Sequence, residues 1–295
     1  MAGVIPTFTL LALAILALWL GGDDHAAVSR RSVWGLLFGA SLAAALLYGV
    51  VKPVGLVWVA AFALAVFAFS RPRAGRRQVV ISAVAILALA AGLMLHRLPG
   101  FHNPCVMAVR FTPDAVPFTL YLNYDKTLIG LLLLGWCHPR IARAHEWRAM
   151  LAAAASWAAV LIALVLTLSL AVGSVRFEPK FPAQAALWAG VNLLFVCLAE
   201  EALFRGFIQA QLQRWWQRVP GGAWLALSAA AVLFGLVHAA GGAVYVALAT
   251  VAGLGYGWIY RRTQRIEASI LTHFALNALH FFAFTYPALQ QAGRA

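Results

Sequence analysis

The chain has 295 residues, of which 63% are hydrophobic and only 11% charged, with a mean hydropathy of +0.85. Soluble domains carry about 25% charged residues, so this composition excludes a water-soluble globular fold and describes a polytopic membrane protein. The net charge of +13, from 22 Lys and Arg against 9 Asp and Glu, does not mark a nucleic-acid surface, because the basic residues sit in short loops between apolar runs, as membrane orientation requires.

In chain order, the first apolar run, Val4 to Leu20, lacks the positive leader of a secretory signal and ends at Gly21-Gly22-Asp23-Asp24 without a small-residue cleavage site; it reads as a retained span. Further runs occupy Val33 to Val51, Val54 to Phe69, Val79 to Leu95, Thr127 to Cys137, Ala149 to Val172, Ala185 to about Phe207, Ala223 to Ala239, Val244 to Tyr260 and Ala268 to Tyr286. They predict an all-α bundle of about ten transmembrane helices, with Thr127 to Cys137 well below the usual span length of about 20 residues. The tightest connection, at Lys52-Pro53, reads either as a turn or as a kink in a re-entrant pair.

The Arg-bearing loops test this count. Those holding Arg30 and Arg31, then Arg71, Arg73, Arg76 and Arg77, then Arg140, Arg143 and Arg148, then Arg214 and Arg218, then Arg261, Arg262 and Arg265 alternate with loops poorer in positive charge. The alternation puts both termini on the non-cytoplasmic side of the plasma (inner) membrane. The chain divides into an N-terminal transmembrane region, 1–148, and a C-terminal one, 149–295, with the chemistry in its last four spans. The loop from 96 to 126, rich in Pro, Phe and Asn, is the only long one, either functional or a plain surface connection. Cys105, Cys137 and Cys197 lack CxxC spacing and suggest neither a disulfide framework nor a thiolate site; Cys197 reads as a small buried hydrophobe.

Polar groups interrupt the last runs at three places: Glu200-Glu201-Ala202-Leu203-Phe204-Arg205, Phe234-Gly235-Leu236-Val237-His238 and His273-Phe274-Ala275-Leu276-Asn277. A charge at the centre of a membrane helix costs roughly 2.5 to 3.5 kcal/mol, so such groups call for a function. Glu201 and Arg205, four apart with the acid first, are spaced for a structural ion pair. Glu200, about 100° away on the helix, is then an acid without a cationic partner, and burial should raise its pKa toward that of a general base.

Glu200 lies 18 residues before Arg218 and His238 lies 16 after Gly222, so each is roughly 25 Å along its helix from the same turn and the two are placed to face each other. His273 and Asn277 share a face four residues apart, with His280 on the same stripe. Asn192 and His280 read as interhelical hydrogen-bonding groups. A carboxylate, two imidazoles and a carboxamide at one depth supply a base, a proton partner and oxyanion donors for attack of water on a carbonyl.

These three segments resemble the EExxxR, FxxxH and HxxxN motifs of the CPBP (also called Abi) family of intramembrane proteases, which includes type II CAAX prenyl endopeptidases. The resemblance covers Ala185 to about Tyr286 and leaves the first six spans unassigned. It implies an endopeptidase acting on a membrane-associated, C-terminally anchored or lipidated protein, with the lipid bilayer as partner. Glu200 and His238 would activate water, and His273 and Asn277 would hold the oxyanion. The family has been described as metal-dependent and as glutamate-dependent; Glu200, His238 and His273 could supply three Zn²⁺ ligands, but no HExxH pair is present and no cofactor is the expectation. The other readings are a non-enzymatic scaffold or immunity factor, and a proton-coupled transporter relaying through Glu200 and His238. Relay acids line a continuous path, and the first six spans offer almost no acids inside apolar runs.

Overall fold

The computed structural model describes residues 3–20 and 27–290; the Gly21-Gly22-Asp23-Asp24 break lies outside them. A helix occupies each apolar run: α1 (Val4–Ala17), α2 (Ala27–Leu47), α3 (Pro53–Ser70), α4 (Arg76–Met94), α5 (Tyr124–Cys137), α6 (Ala144–Ala171), α7 (Ala185–Trp215), α8 (Gly222–Leu236), α9 (Ala243–Thr263) and α10 (Ile266–Ala283). Arg30 and Arg31, expected in a loop, fall in the first turn of α2. Among the described residues five helices, α3, α4, α6, α7 and α9, are long and apolar enough to cross a membrane, and α1, residues Val33–Leu47 of α2, and α8 are apolar but shorter. This supports a multi-pass integral membrane protein, in which five helices of the described residues meet the length and composition of a span beside the ten or so apolar runs of the sequence. The outer helix faces are apolar, as a lipid solvent requires: Leu36, Leu64 and Val84 are all exposed.

The chain forms two compact units, one of Met1–Pro104, Tyr121–Arg143 and Leu194–Leu203, the other of Cys105–Leu120, Ala144–Leu193 and Phe204–Ala295. In the first unit α5 is the core. Leu128, Ile129 and Leu131 to Leu134 have no exposed surface, which explains the short run: a 14-residue apolar helix wrapped by protein need not match a bilayer. At its start Tyr124 meets Phe8 of α1 edge-on at 5.8 Å and shares a hydrogen bond with Ser41 of α2 at 3.2 Å. Ser41 also donates to the Thr7 carbonyl at 2.9 Å. Lys52-Pro53 is a turn, with Pro53 opening α3 where its missing N–H costs nothing. Val51 pairs with Phe101, and Lys52 N–H donates to the Gly100 carbonyl at 2.8 Å. Gly100, at φ +96°, is needed there because the added Cβ of any other residue would lie 2.5 Å from the Gly55 nitrogen.

The loop from 96 to 126 carries secondary structure of its own. Strands β1 (Cys105–Val109) and β2 (Phe118–Tyr121) pair within it. In the second unit the tip between them binds the chain's last described residues, with Val116 N–H on the Ala288 carbonyl and Gln290 N–H on that of Asp114, both at 2.9 Å. Phe111 packs on Phe281 and Phe118 on Tyr286, each at 5.0 Å. Helices α6, α8, α9 and α10 assemble through small residues that let backbones approach. A Cβ on Gly235 would lie 2.0 Å from the Thr250 hydroxyl, and one on Gly255 would lie 2.3 Å from Leu161. At the Arg-bearing ends, Arg265 pairs with Glu146 at 2.8 Å and Arg261 lies 4.7 Å over the Trp224 ring, a cation–π contact suited to a membrane interface.

Candidate active site

The 31-residue helix α7 is continuous but not regular. Asn192–Cys197 and Ala202–Gln209 are π-helical, and the one α-helical turn between them, Leu198–Glu201, carries both glutamates. Wide π turns inside an α-helix recur at functional sites, where they re-aim side chains. The second π stretch begins at Ala202 and holds Arg205.

In the first unit Glu200 and Glu201 are both buried, Glu201 completely. The Glu200 carboxylate has a cation: Lys126 Nζ donates to Oε1 at 2.5 Å, with both side chains largely inside. This corrects the reading of Glu200 as an acid without a positive partner. The physical reason is α5, whose packing against residues 198–201 delivers a lysine across 74 positions of sequence. The available signal was Lys126 itself, a charge at the head of a short apolar run.

The second unit gathers the two imidazoles around one ring. Phe234 lies 4.8 Å from His238 and 5.7 Å, edge-on, from His273. The Phe204 ring at 5.2 Å, the Tyr256 ring at 6.0 Å and the Arg205 guanidinium at 4.4 Å also border it. The first residue of the Phe234–His238 motif is thus the common wall for both histidines and the arginine. His238 follows the end of α8 and is held by its Nδ1–H donating to the Phe234 carbonyl at 2.7 Å; that tautomer presents Nε2 as a lone pair. Phe234→Ala should cost about 3 to 5 kcal/mol and release both rings, read as a lower melting temperature together with reduced turnover; an unchanged melting temperature would refute the shared wall.

His273 is buried and stacks on Tyr256 at 4.7 Å, with the rings 18° from parallel. One turn earlier on α10, Ser269 donates to the Tyr256 carbonyl at 3.0 Å, so α10 is clamped to α9 at the height of His273. Asn277 Nδ2 donates to Asn192 Oδ1 at 3.2 Å. Asn192, read as interhelical glue, therefore orients a predicted site residue. Tyr256 was not singled out, although Gly253, Gly255 and Gly257 around it signalled close approach. Arg205 Nη2 donates to the Gly253 carbonyl at 2.9 Å and Gln209 Nε2 to that of Gly257 at 3.0 Å, seating two buried polar chains on the glycine stripe of α9.

His280 Nε2 donates to the Thr285 carbonyl at 3.2 Å, a partner just past the end of its own helix where an interhelical bond was expected, and Cys197 is fully buried. Among the described residues no three His, Cys, Asp or Glu side chains gather in a metal-ligating group.

Comparison with known families matches residues 182–279 to the model described as type II CAAX prenyl endopeptidase Rce1-like. The matched segment contains Glu200, His238, His273 and Asn277. No protein of curated function and no solved structure matches the chain.

Proposed function

We propose that this chain, whose residues 182–279 match the Rce1-like type II CAAX prenyl endopeptidase model, is an intramembrane endopeptidase of the plasma membrane, cutting a peptide bond in a membrane-associated, C-terminally anchored or lipidated protein. The observation that carries the proposal is the presence, in order and within one family segment, of a carboxylate, two imidazoles and a carboxamide, Glu200, His238, His273 and Asn277. Glu200 takes a proton from water, assisted by the Nε2 lone pair of His238, and the hydroxide adds to the scissile carbonyl. The His273 ring and the Asn277 amide donate to the oxyanion. Collapse of the tetrahedral adduct breaks the C–N bond, and the departing amine takes the proton first drawn from water. Glu201 and Arg205 are proposed to brace the helix.

The carboxylate and two imidazoles form a possible Zn²⁺ donor set, but the set fits poorly. An ammonium already occupies one oxygen of Glu200 at 2.5 Å, and the remaining motif residue, Asn277, carries a carboxamide, a weak zinc ligand. The reading is therefore metal-independent hydrolysis. The test presents purified protein in lipid with anchored and lipidated peptides, follows cleavage by mass spectrometry, and repeats it after exhaustive chelation. Site-specific cleavage that survives chelation is expected. Absence of cleavage of every peptide would overturn the protease reading; stoichiometric zinc, lost with activity and restored on readdition, would overturn metal independence.

A further inference from the structure

We infer that Lys126 is a positioning residue for the Glu200 carboxylate, supplied by a part of the chain outside residues 182–279. The inference rests on the protease reading above and names how its base is held.

Three observations converge on Lys126. Its ammonium lies 2.5 Å from Glu200 Oε1, and the lysine and glutamate side chains are 13% and 6% exposed, so the two form an ion pair largely inside the protein. Helix α5 is pressed against the turn that carries Glu200. Gly130, four residues after Lys126 and on the same face, would with a Cβ approach Ala199 Cα to 2.8 Å and Leu198 Cδ2 to 2.5 Å, so only glycine allows this separation.

The first turn of α5 is itself locked. Tyr124 N–H donates to Asn103 Oδ1 at 3.0 Å and Asn103 Nδ2 to Asp125 Oδ1 at 3.0 Å. His96 Nδ1 donates to Asp125 Oδ2 at 2.7 Å, and Lys126 N–H to Asp125 Oδ1 at 2.8 Å. Asp125, an acid that the span reading did not place inside, is 1% exposed. It anchors the backbone from which the lysine reaches, which offsets the freedom a long side chain loses on burial. A fixed cation on one oxygen sets the plane of the carboxylate.

The test is steady-state cleavage by Lys126→Met, Lys126→Arg and Lys126→Met placed in a Glu200→Gln background, with melting temperatures for each. Lys126→Met is expected to lower kcat about 10- to 100-fold with KM within about twofold, the effect of losing one charge-assisted hydrogen bond on the base. Lys126→Arg, which keeps charge but moves it, should lose only about 3- to 10-fold. In the Glu200→Gln background Lys126→Met should change the residual rate by less than about twofold, since a positioning residue acts only through its partner. A folded Lys126→Met enzyme with wild-type kcat, or an equal loss in the Glu200→Gln background, overturns the inference. Should Lys126→Met not accumulate folded, unchanged kcat in Lys126→Arg overturns it. An inactive Glu200→Gln enzyme beside a fully active Lys126→Met enzyme sinks this inference alone, whereas an active Glu200→Gln enzyme sinks the catalytic reading and this inference with it.

Discussion

Glu200→Gln is expected to lower peptide cleavage by about 10²- to 10⁴-fold, the range a general base contributes. The amide keeps the shape of the carboxylate and cannot accept the proton of water. From the motif alone this variant would be expected to fold normally. The ion pair changes that expectation, because the neutral amide leaves the largely buried Lys126 ammonium opposite no charge, at a cost of about 3 to 5 kcal/mol. The melting temperature of Glu200→Gln should therefore fall together with its activity. Adding Lys126→Met removes the second charge and should recover most of the melting temperature and none of the activity. Recovery of cleavage in the double variant would show that the single variant was inactive through instability, and normal cleavage by Glu200→Gln would remove Glu200 from the chemistry.

The second large effect is expected at Asn277. If its amide holds the oxyanion, Asn277→Ala should lower kcat by about 10²- to 10³-fold, the usual result of deleting one such donor, while KM changes little because the ground-state carbonyl gains less from the contact. Its neighbour Asn192 accepts the Asn277 amide proton at 3.2 Å and so aims the group. Asn192→Ala should give a smaller loss, about tenfold, in the same direction and also in kcat. Rates and Michaelis constants for the two variants on one peptide check this. An Asn277→Ala enzyme with wild-type kcat, or an Asn192→Ala defect larger than that of Asn277→Ala, would contradict the assignment.

The apolar runs, the all-α membrane class and the three polar segments were all legible in the residues, because each depends on a local property. A stretch of apolar side chains either can or cannot sit in hydrocarbon, and a charge within it is costly wherever the stretch lies. The family segment was legible for the same reason: its motifs place residue types at short, fixed spacings. The π turns within α7, by contrast, depend on packing that no local pattern reports.

What decided the environment of Glu200 was tertiary. The run at Thr127 to Cys137 looked like a weak span because its length was compared with a bilayer, whereas α5 is a protein-buried core helix whose solvent is other side chains. Its position brings Lys126 to Glu200, 74 residues away, and its closeness depends on a glycine facing Ala199. Phe234 beside His273, and Asn192 as the partner of Asn277, are likewise contacts between helices distant in sequence. Hydropathy and periodicity identify which groups are costly to bury; which group relieves that cost is set by the packing of helices against one another, and that becomes visible only when the chain is folded.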